Sequence, residues 1–310
     1  MEEVIIIGSG CAGWTAAIYL ARAKLSPLLV TGSEPGGLLT TTTLVENYPG
    51  FPLGIQGPEL MEAMRKQAER FGTRVKYLSV VTDFQCNGKI KRVKIDDEWL
   101  ETKAVVIAVG ARPRKLSVPG ESELETKGVS YCATCDGALP VFRNQPLVVV
   151  GGGDSACEEA LYLTRFASVV YLIHRRDALR ASSIMAERVL NEPKIKVIWN
   201  SVIEKVLDPK EDRVTGVLLR NVKEGTTNLL ECRGLFVAIG HVPNTQIFEG
   251  KIELDEKKLI KTTEGTKTSV AGVFACGDCV DGVYRQAVTA AGMGCMAAID
   301  AERYLREKSI

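Results

Sequence analysis

Two cysteines, Cys132 and Cys135, stand two residues apart in the segment YCATCDG, and an acid, Asp136, directly follows them. A Cys-x-x-Cys turn can close a disulfide, and its thiolate can attack a partner's disulfide through a mixed-disulfide intermediate. Asp136 could relay a proton in such an exchange, and N-capping of a helix is its alternative role. The pair could also serve in a zinc site or as a static staple.

Zinc would need two more ligands, and the chain offers a second pair at the same internal spacing, Cys276 and Cys279. Structural zinc pairs usually lie roughly 15 to 20 residues apart, whereas most of a domain separates these two pairs. A static bridge across so short a loop would constrain little of the unfolded chain. The residues therefore favour a redox role for Cys132 and Cys135, and we predict no metal.

A glycine-rich turn, Gly8-Ser-Gly10-Cys-Ala-Gly13, joins an apolar β-branched run to a segment of helical spacing. In this context the spacing is typical of dinucleotide binding, because the glycines permit a tight turn and close backbone approach to a pyrophosphate. The helix N-terminus adds N–H groups that face the phosphates. Glu34, which follows the second strand, is expected to accept a hydrogen bond from a ribose hydroxyl.

A second copy of this pattern has Gly151, Gly153 and Ala156 at the same spacing, again between an apolar strand and an amphipathic helix. After its next strand the acid is replaced by the basic run His174-Arg175-Arg176, and Arg180 follows. Guanidinium groups match the oxygens of a phosphate, which favours NADP over NAD. A solvent-exposed basic patch is the alternative. Two matching contexts argue against glycine turns that bind no ligand.

Two further segments, VVIAVGARP (105–113) and LFVAIGHVP (235–243), share the pattern Ala-x-Gly-x-x-Pro after an apolar strand. They indicate equivalent strand exits in two duplicated domains. The tail, which contains GVFACGDC, supplies a strand that the first domain lacks. We therefore predict an α/β fold with two Rossmann-like three-layer nucleotide-binding domains, the first discontinuous (1–112 and 245–310) and the second (113–244) inserted into it.

Composition restricts the class of protein. The 310 residues include 39 basic and 38 acidic side chains, a net charge of +1, so no bulk field attracts nucleic acid or an anionic membrane. The longest apolar runs are far shorter than the roughly 20 residues of a membrane span. The first strand starts at about Val4, which leaves no room for a secretory leader, so we expect a cytoplasmic protein.

Nine cysteines are an odd count and do not resemble a disulfide framework, so most are expected to be reduced. Cys86, Cys157, Cys232 and Cys295 are expected to act as small buried hydrophobes. With only two histidines in the chain, sites built on several histidines are disfavoured.

Seven sequence motifs follow one another along the chain in this order: GSG-x-AG, GLLTTTTLVENYPGFP, CATCDG, GGGDSACEEALYL, HRRDALRAS, GLFVAIGHVPNT and GVFACGDCVDGVYRQA. Together they resemble the low-molecular-weight thioredoxin reductases from about residue 4 to about residue 306. The resemblance implies a homodimeric enzyme that uses FAD and NADPH to reduce thioredoxin. It implies an NADPH domain, which carries the cysteine pair, inserted into an FAD domain.

The resemblance also implies site residues. For FAD these are Gly8, Gly10, Gly13, Asn47, Asp278, Arg285, Gln286 and Ala287; for NADPH they are Gly151, Gly153, Asp154, Ser155, Arg175, Arg176 and Arg180. Cys132, Cys135 and Asp136 would carry the redox chemistry, with NADPH reducing FAD, FAD opening the disulfide, and the dithiol reducing thioredoxin. Cys135 would face the flavin and Cys132 would attack the partner.

Alternatives remain. The chain could reduce another disulfide partner, or it could be a flavin redox sensor that does not turn over, although complete NADPH and dithiol motifs argue against the sensor. From its dipeptide alone, Asp278 could simply cap a helix. The chain departs from the family pattern at Cys11, Leu38 and Cys279, where proline, glutamine and valine are usual. We expect Cys279 to be a buried, inert thiol rather than half of an extra disulfide or an oxidant sensor.

Overall fold

The computed structural model describes residues 1–86 and 88–308. The chain forms two compact units, Met1–Arg112 with Val242–Ile310, and Pro113–His241. The second change of unit falls between His241 and Val242, inside the strand His241–Pro243, whereas the expected boundary was 245. The nucleotides that we expect each unit to bind remain predictions.

Strands and helices are numbered in chain order. The strands are β1 (Glu2–Ile7), β2 (Leu28–Val30), β3 (Leu44–Val45), β4 (Ile55–Gln56), β5 (Arg74–Lys76), β6 (Val81–Gln85), β7 (Lys91–Ile95), β8 (Glu98–Ile107), β9 (Ala111–Pro113), β10 (Val129–Ser130), β11 (Pro146–Val150), β12 (Val169–Ile173), β13 (Ile195–Ile198), β14 (Ser201–Leu207), β15 (Gly216–Asn221), β16 (Thr227–Glu231), β17 (Gly234–Val237), β18 (His241–Pro243) and β19 (Val273–Ala275). The helices are α1 (Cys11–Arg22), α2 (Gly57–Arg70), α3 (Ala133–Asp136), α4 (Asp154–Leu163), α5 (Ser183–Asn191) and α6 (Ala287–Lys308).

The first unit is built on a seven-stranded sheet in the order β5-β2-β1-β8-β7-β6, with β19 also paired to β8. Strands β5, β2, β1, β8 and β19 run parallel, whereas β6 and β7 are antiparallel. The second parts of β1 (4–7) and of β8 (104–107) are continuous apolar runs because both of their faces are buried. Helix α6 packs on α1 so closely that a Cβ at Gly294 would lie 2.2 Å from the Ala12 carbonyl oxygen.

The second unit contains a five-stranded parallel sheet in the order β10-β17-β11-β12-β13. Side chains of β11 alternate between its faces: Leu147 and Val149 pack with α3 and α4, and Val148 and Val150 pack against the antiparallel sheet β14-β15-β16. The predicted α/β fold with parallel, Rossmann-like sheets is confirmed. No helix among the described residues is long and apolar enough to cross a bilayer.

The carboxyl ends of parallel strands meet at one edge of each sheet, and this edge positions the candidate residues. In the first unit, the first glycine turn follows β1 and Asp278 comes soon after β19. In the second unit, the Cys132–Cys135 segment follows β10, the second glycine turn follows β11, and the arginines follow β12. Residues far apart in the chain are thereby gathered within each unit.

Candidate active site

The redox turn, which we define as residues 132–136, is closed by a disulfide between Cys132 and Cys135 whose Cα atoms are 5.3 Å apart. Cys132 is the N-cap of α3, and its Sγ accepts a hydrogen bond from the Cys135 N–H at 3.2 Å. Cys132 is half-buried and Cys135 is exposed. The disulfide can therefore be reached by a reacting group. Which cysteine attacks a partner stays a prediction.

Asp136 is the last residue of α3, so its alternative role as a helix N-cap is wrong. Its Oδ2 accepts a hydrogen bond from Ser130 Oγ at 2.6 Å, and the same hydroxyl oxygen accepts the Cys132 N–H at 3.1 Å. Burial raises the pKa of Asp136, and the Ser130 hydrogen bond opposes that effect. Ser130 thus joins the acid to the backbone of the cysteine. The sequence reasoning missed this serine, although its position two residues before Cys132 was a usable signal.

The second cysteine pair is inert by its environment. Cys276 and Cys279 are free thiols with no exposed surface, and burial raises the pKa of Cys279 to about 12. Residues 1–86 and 88–308 contain no group of three or more histidine, cysteine or acidic side chains arranged to hold a metal. Elsewhere Cys157 and Cys232 are buried as expected, but Cys86 and Cys295 are only half-buried.

At the first glycine turn, Gly8 has a φ of +110°, and a Cβ there would lie 2.3 Å from the Ala108 carbonyl oxygen. A Cβ at Gly13 would lie 2.0 Å from the Gly8 carbonyl oxygen, whereas one at Gly10 would meet no atom within 4 Å. The turn is therefore packed against β8 on one side and open on the other. This open side is where a pyrophosphate could approach the backbone.

The loop that carries Glu34 is tied to this turn by Ser9, another residue that the sequence reasoning missed. Ser9 Oγ donates to the Thr31 carbonyl oxygen at 3.0 Å and accepts the Gly36 N–H at 2.9 Å. Glu34 itself is exposed on that loop. Its carboxylate is thus free to accept a ligand hydroxyl, and its predicted role stays a prediction.

The tail brings a carboxyl group to the same turn. Asp278 lies inside a 3-10 turn, Gly277–Cys279, so the helix-capping alternative is wrong. A Cβ at Gly277 would be 3.0 Å from Ala12 Cβ, which places this turn against the start of α1. Burial, with a smaller effect of Asp281, raises the pKa of Asp278 to about 6, and Arg285 opposes this effect. Burial, with a smaller effect of Asp278, raises the pKa of Cys11 to about 12.

Two predicted residues separated by most of the chain meet beside this tail: Asn47 Nδ2 donates to Gln286 Oε1 at 3.3 Å. Arg285, just before Gln286, has a φ of +48°, and its N–H donates to Asp281 Oδ2 at 3.1 Å. Ala287 is the first residue of α6. The open glycine turn, the Asp278 carboxyl and these amides are a donor and acceptor set that fits an adenine dinucleotide with a polyhydroxylated chain, such as FAD.

The second glycine turn repeats the first. A Cβ at Gly151 would lie 2.6 Å from the Ala238 carbonyl oxygen, and one at Gly153 would meet no atom within 4 Å. Asp154 and Ser155 are exposed at the start of α4. Ala108 and Ala238, the carbonyls that face the two turns, are the corresponding alanines of the repeated Ala-x-Gly-x-x-Pro segments.

The arginine-bearing segment is anchored on this turn at three points. His174 Nδ1 donates to the Gly151 carbonyl oxygen at 2.8 Å, and the Arg180 N–H donates to the Gly152 carbonyl oxygen at 2.6 Å. Asp154 Oδ1 accepts from the Ser182 N–H at 2.9 Å and from Ser182 Oγ at 2.8 Å. The anchors use backbone and short polar groups, so the long basic side chains stay available.

Arg175, Arg176 and Arg180 are exposed, and none of them forms an ion pair with a described residue. By contrast Asp177, in the same segment, pairs with Lys223 at 2.9 Å. Three unpaired guanidinium groups beside an open glycine turn fit a nucleotide that carries an additional phosphate.

Comparison with known proteins agrees with this geometry. Residues 2–294 match the family model of the pyridine nucleotide-disulphide oxidoreductases. A thioredoxin reductase of Mycolicibacterium smegmatis is 54% identical over 310 residues, which cover 99% of this chain and 98% of the relative. A thioredoxin reductase of Debaryomyces hansenii is 51% identical and covers 99% and 98%.

Solved structures are similar over the same length. A thioredoxin reductase from Streptococcus pyogenes is 42% identical, with a TM-score of 0.93 and coverage of 99% of both chains. One from Giardia duodenalis is 44% identical, with a TM-score of 0.91 and coverage of 98% of both chains. The resemblance predicted from the motifs is confirmed, and the chain belongs to the pyridine nucleotide-disulphide oxidoreductase family.

Proposed function

We propose that this protein is an NADPH-dependent thioredoxin reductase that uses FAD. The observation that carries the proposal is the closed Cys132–Cys135 disulfide in a turn where one serine, Ser130, binds both the Cys132 N–H and the half-buried Asp136 carboxyl. Relatives of about 50% identity that carry the name thioredoxin reductase support the substrate.

When bound, FAD and NADPH supply the electron pair that opens the disulfide. The chain's own residues hold the proton and stabilise the thiolate. Opening the bond with two electrons and one proton leaves one thiol and one thiolate, and the thiolate attacks a partner's disulfide. Asp136, whose pKa is raised by burial, can hold a proton for the departing thiolate. The Cys135 N–H donates a hydrogen bond to Cys132 Sγ, and a hydrogen bond to the sulfur stabilises the thiolate form.

The choice of nucleotide would come from the arginine segment. His174, Arg180 and Ser182 anchor the backbone of this segment on the second glycine turn, and the exposed Arg175 and Arg176 side chains that it carries would hold a 2′-phosphate. NADH lacks this phosphate and would leave the guanidinium groups in water. We therefore expect strong preference for NADPH.

The test is the steady-state oxidation of NADPH, with NADH in parallel, when an oxidised thioredoxin is added to the flavin-loaded protein. We expect rapid, NADPH-selective turnover that Cys135→Ser abolishes. Cys86→Ser is the matched control, since Cys86 is a half-buried free thiol outside the redox turn. It should leave the rate unchanged.

The other outcomes identify the alternatives. NADPH consumption that persists in Cys135→Ser, or that needs only oxygen, would refute the dithiol relay. Reduction of a small aryl disulfide without reduction of thioredoxin would indicate another disulfide partner. Binding of flavin without sustained turnover would indicate a redox sensor.

Assembly and location complete the proposal. We infer a homodimer from the resemblance, testable by light scattering of the purified protein. A cytoplasmic location is supported by seven cysteines that remain free thiols in the structure, which suits a reducing compartment.

A further inference from the structure

A second half-buried acid lies beside the redox turn, on the helix that packs against it. Glu159 belongs to α4, whose buried stripe consists of Ala156, Cys157, Ala160 and Leu163. Glu159 borders this stripe, and its Oε2 is shielded from solvent and has no hydrogen-bond partner among the described residues. The preceding residue, Glu158, is exposed. Two adjacent glutamates of one helix therefore have opposite environments.

Helix α4 shares one buried cluster with Ala133 of the redox turn, and the Glu159 carboxyl lies beside the backbone of this turn. It interacts with the N–H of Ala133, the first residue of α3 and the neighbour of Cys132. The N–H of Cys132 itself donates to Ser130 Oγ at 3.1 Å. The N–H of Cys132 is thus held by Ser130, and the next N–H along the chain, that of Ala133, faces the Glu159 carboxyl.

Burial raises the pKa of Glu159 to about 7, while the Ala133 N–H lowers it and Glu158 raises it. The ionisable groups that α3 contributes are Asp136 and the two cysteines. On α5, Glu187 and Arg188 line a cavity beside Leu161, which is about 200° around α4 from Glu159. β11 carries no ionisable side chain, and Tyr171 of β12 packs on the other face of the sheet. Among these elements packed against α4, it is therefore the redox turn that brings ionisable side chains towards Glu159.

We propose that Glu159 is a positioning residue for the Cys132–Cys135 couple, which fixes the Ala133 N–H and, once ionised, opposes negative charge on the couple. The proposal rests on the proposed function, in which the couple cycles between disulfide and dithiol. Two electrons and one proton convert the disulfide to a thiol and a thiolate, and a second proton gives the dithiol. A carboxylate beside the turn disfavours the thiolate and so favours uptake of the second proton.

The experiment measures the apparent pKa of the Cys132 thiol from the pH dependence of its alkylation by iodoacetamide, read by peptide mass spectrometry. The parent is the full-length, flavin-loaded Cys135→Ser protein, in which Cys132 cannot close the disulfide. Glu159→Gln, which keeps an acceptor for the Ala133 N–H but carries no charge, should lower the apparent pKa by about one unit. Glu158→Gln, on the exposed side of the same helix, should leave it unchanged.

A Glu159→Gln curve that superimposes on the parent curve would overturn the inference, as would an equal shift in Glu158→Gln. With both cysteines present, Glu159→Leu should lower kcat for thioredoxin reduction, and Glu159→Gln should restore it. If Glu159→Leu does not fold, the alkylation comparison still decides. Because alkylation needs neither NADPH nor thioredoxin, it reports on Glu159 even if the proposed activity is refuted.

Discussion

The two glycine turns of this protein share one backbone arrangement, with one side packed against a strand exit and the other side open. Gly8 and Gly151 each face the carbonyl oxygen of an equivalent alanine, at 2.3 and 2.6 Å from where a Cβ would be. Gly10 and Gly153 each leave the opposite side open. The third position differs, because Gly13 has a backbone oxygen where its Cβ would go, whereas the Cβ of Ala156 occupies space that Gly151 leaves empty.

The loops around the turns diverge. Beside the first turn lie one exposed acid, Glu34, and a half-buried carboxyl, Asp278. Beside the second lie three exposed arginines on a segment anchored by His174 and Ser182. Under the proposed function, the glycine turn supplies the dinucleotide site in both units, and the side chains on neighbouring loops select which dinucleotide each site takes.

The largest expected effect tests whether the packed side and the open side of the first turn have different roles, in folding and in flavin binding. Gly8→Val would force a Cβ into the Ala108 carbonyl at a φ of +110°, so we expect a loss of more than about 3 kcal/mol in the free energy of unfolding. Gly10→Val should leave folding intact and abolish flavin binding. Denaturant unfolding and flavin absorbance measure the two effects. A Gly8→Val protein as stable as wild type would contradict the packing argument.

The second prediction concerns the arginines. Replacing Arg175 and Arg176 together by alanine removes two charged hydrogen-bonding groups, each worth about 1.5 to 3 kcal/mol. We expect KM for NADPH to rise at least roughly 100-fold, with little change for NADH. Arg220→Ala is the control, because Arg220 is exposed in the same unit and faces Glu204 at 3.6 Å. Equal losses for NADPH and NADH would show that the segment supports folding rather than phosphate selection.

The smallest effect concerns Asp278, whose folded pKa of about 6 exceeds its ordinary value of 3.8. Below about pH 4 both the native and the unfolded state carry the proton. Between about pH 4 and about pH 6 the unfolded state releases this proton while the native state keeps it. The stability of the flavin-free protein should therefore fall by on the order of 2 kcal/mol as pH rises through this range. Asp278→Asn should flatten this pH dependence in chemical unfolding experiments. Unchanged curves would mean that Asp278 is not desolvated before flavin binds.

Several features could be predicted because they depend on local spacing. Each of these features is one short, contiguous segment: the two glycine turns, the Cys-x-x-Cys turn and the basic run after β12. The residue types within each segment are enough to predict its local structure. Roles that depend on partners elsewhere were missed or wrong. Asp136 was expected to relay a proton, with helix capping as the alternative; it is not a cap, and its bond to Ser130 was missed. Ser9 joins two loops that the sequence shows only as separate segments.

The sequence by itself determined the α/β class, the pair of glycine turns and the Cys-x-x-Cys turn, because strand, turn and helix signals act over a few residues. Only the tertiary structure decided which groups surround them. The parallel sheets bring the ends of distant strands together, so Asn47 meets Gln286 and Glu159 meets the backbone beside Cys132. Burial in those places raises the pKa values of Asp278 and Glu159, and burial is a property of the packed chain that no local pattern records.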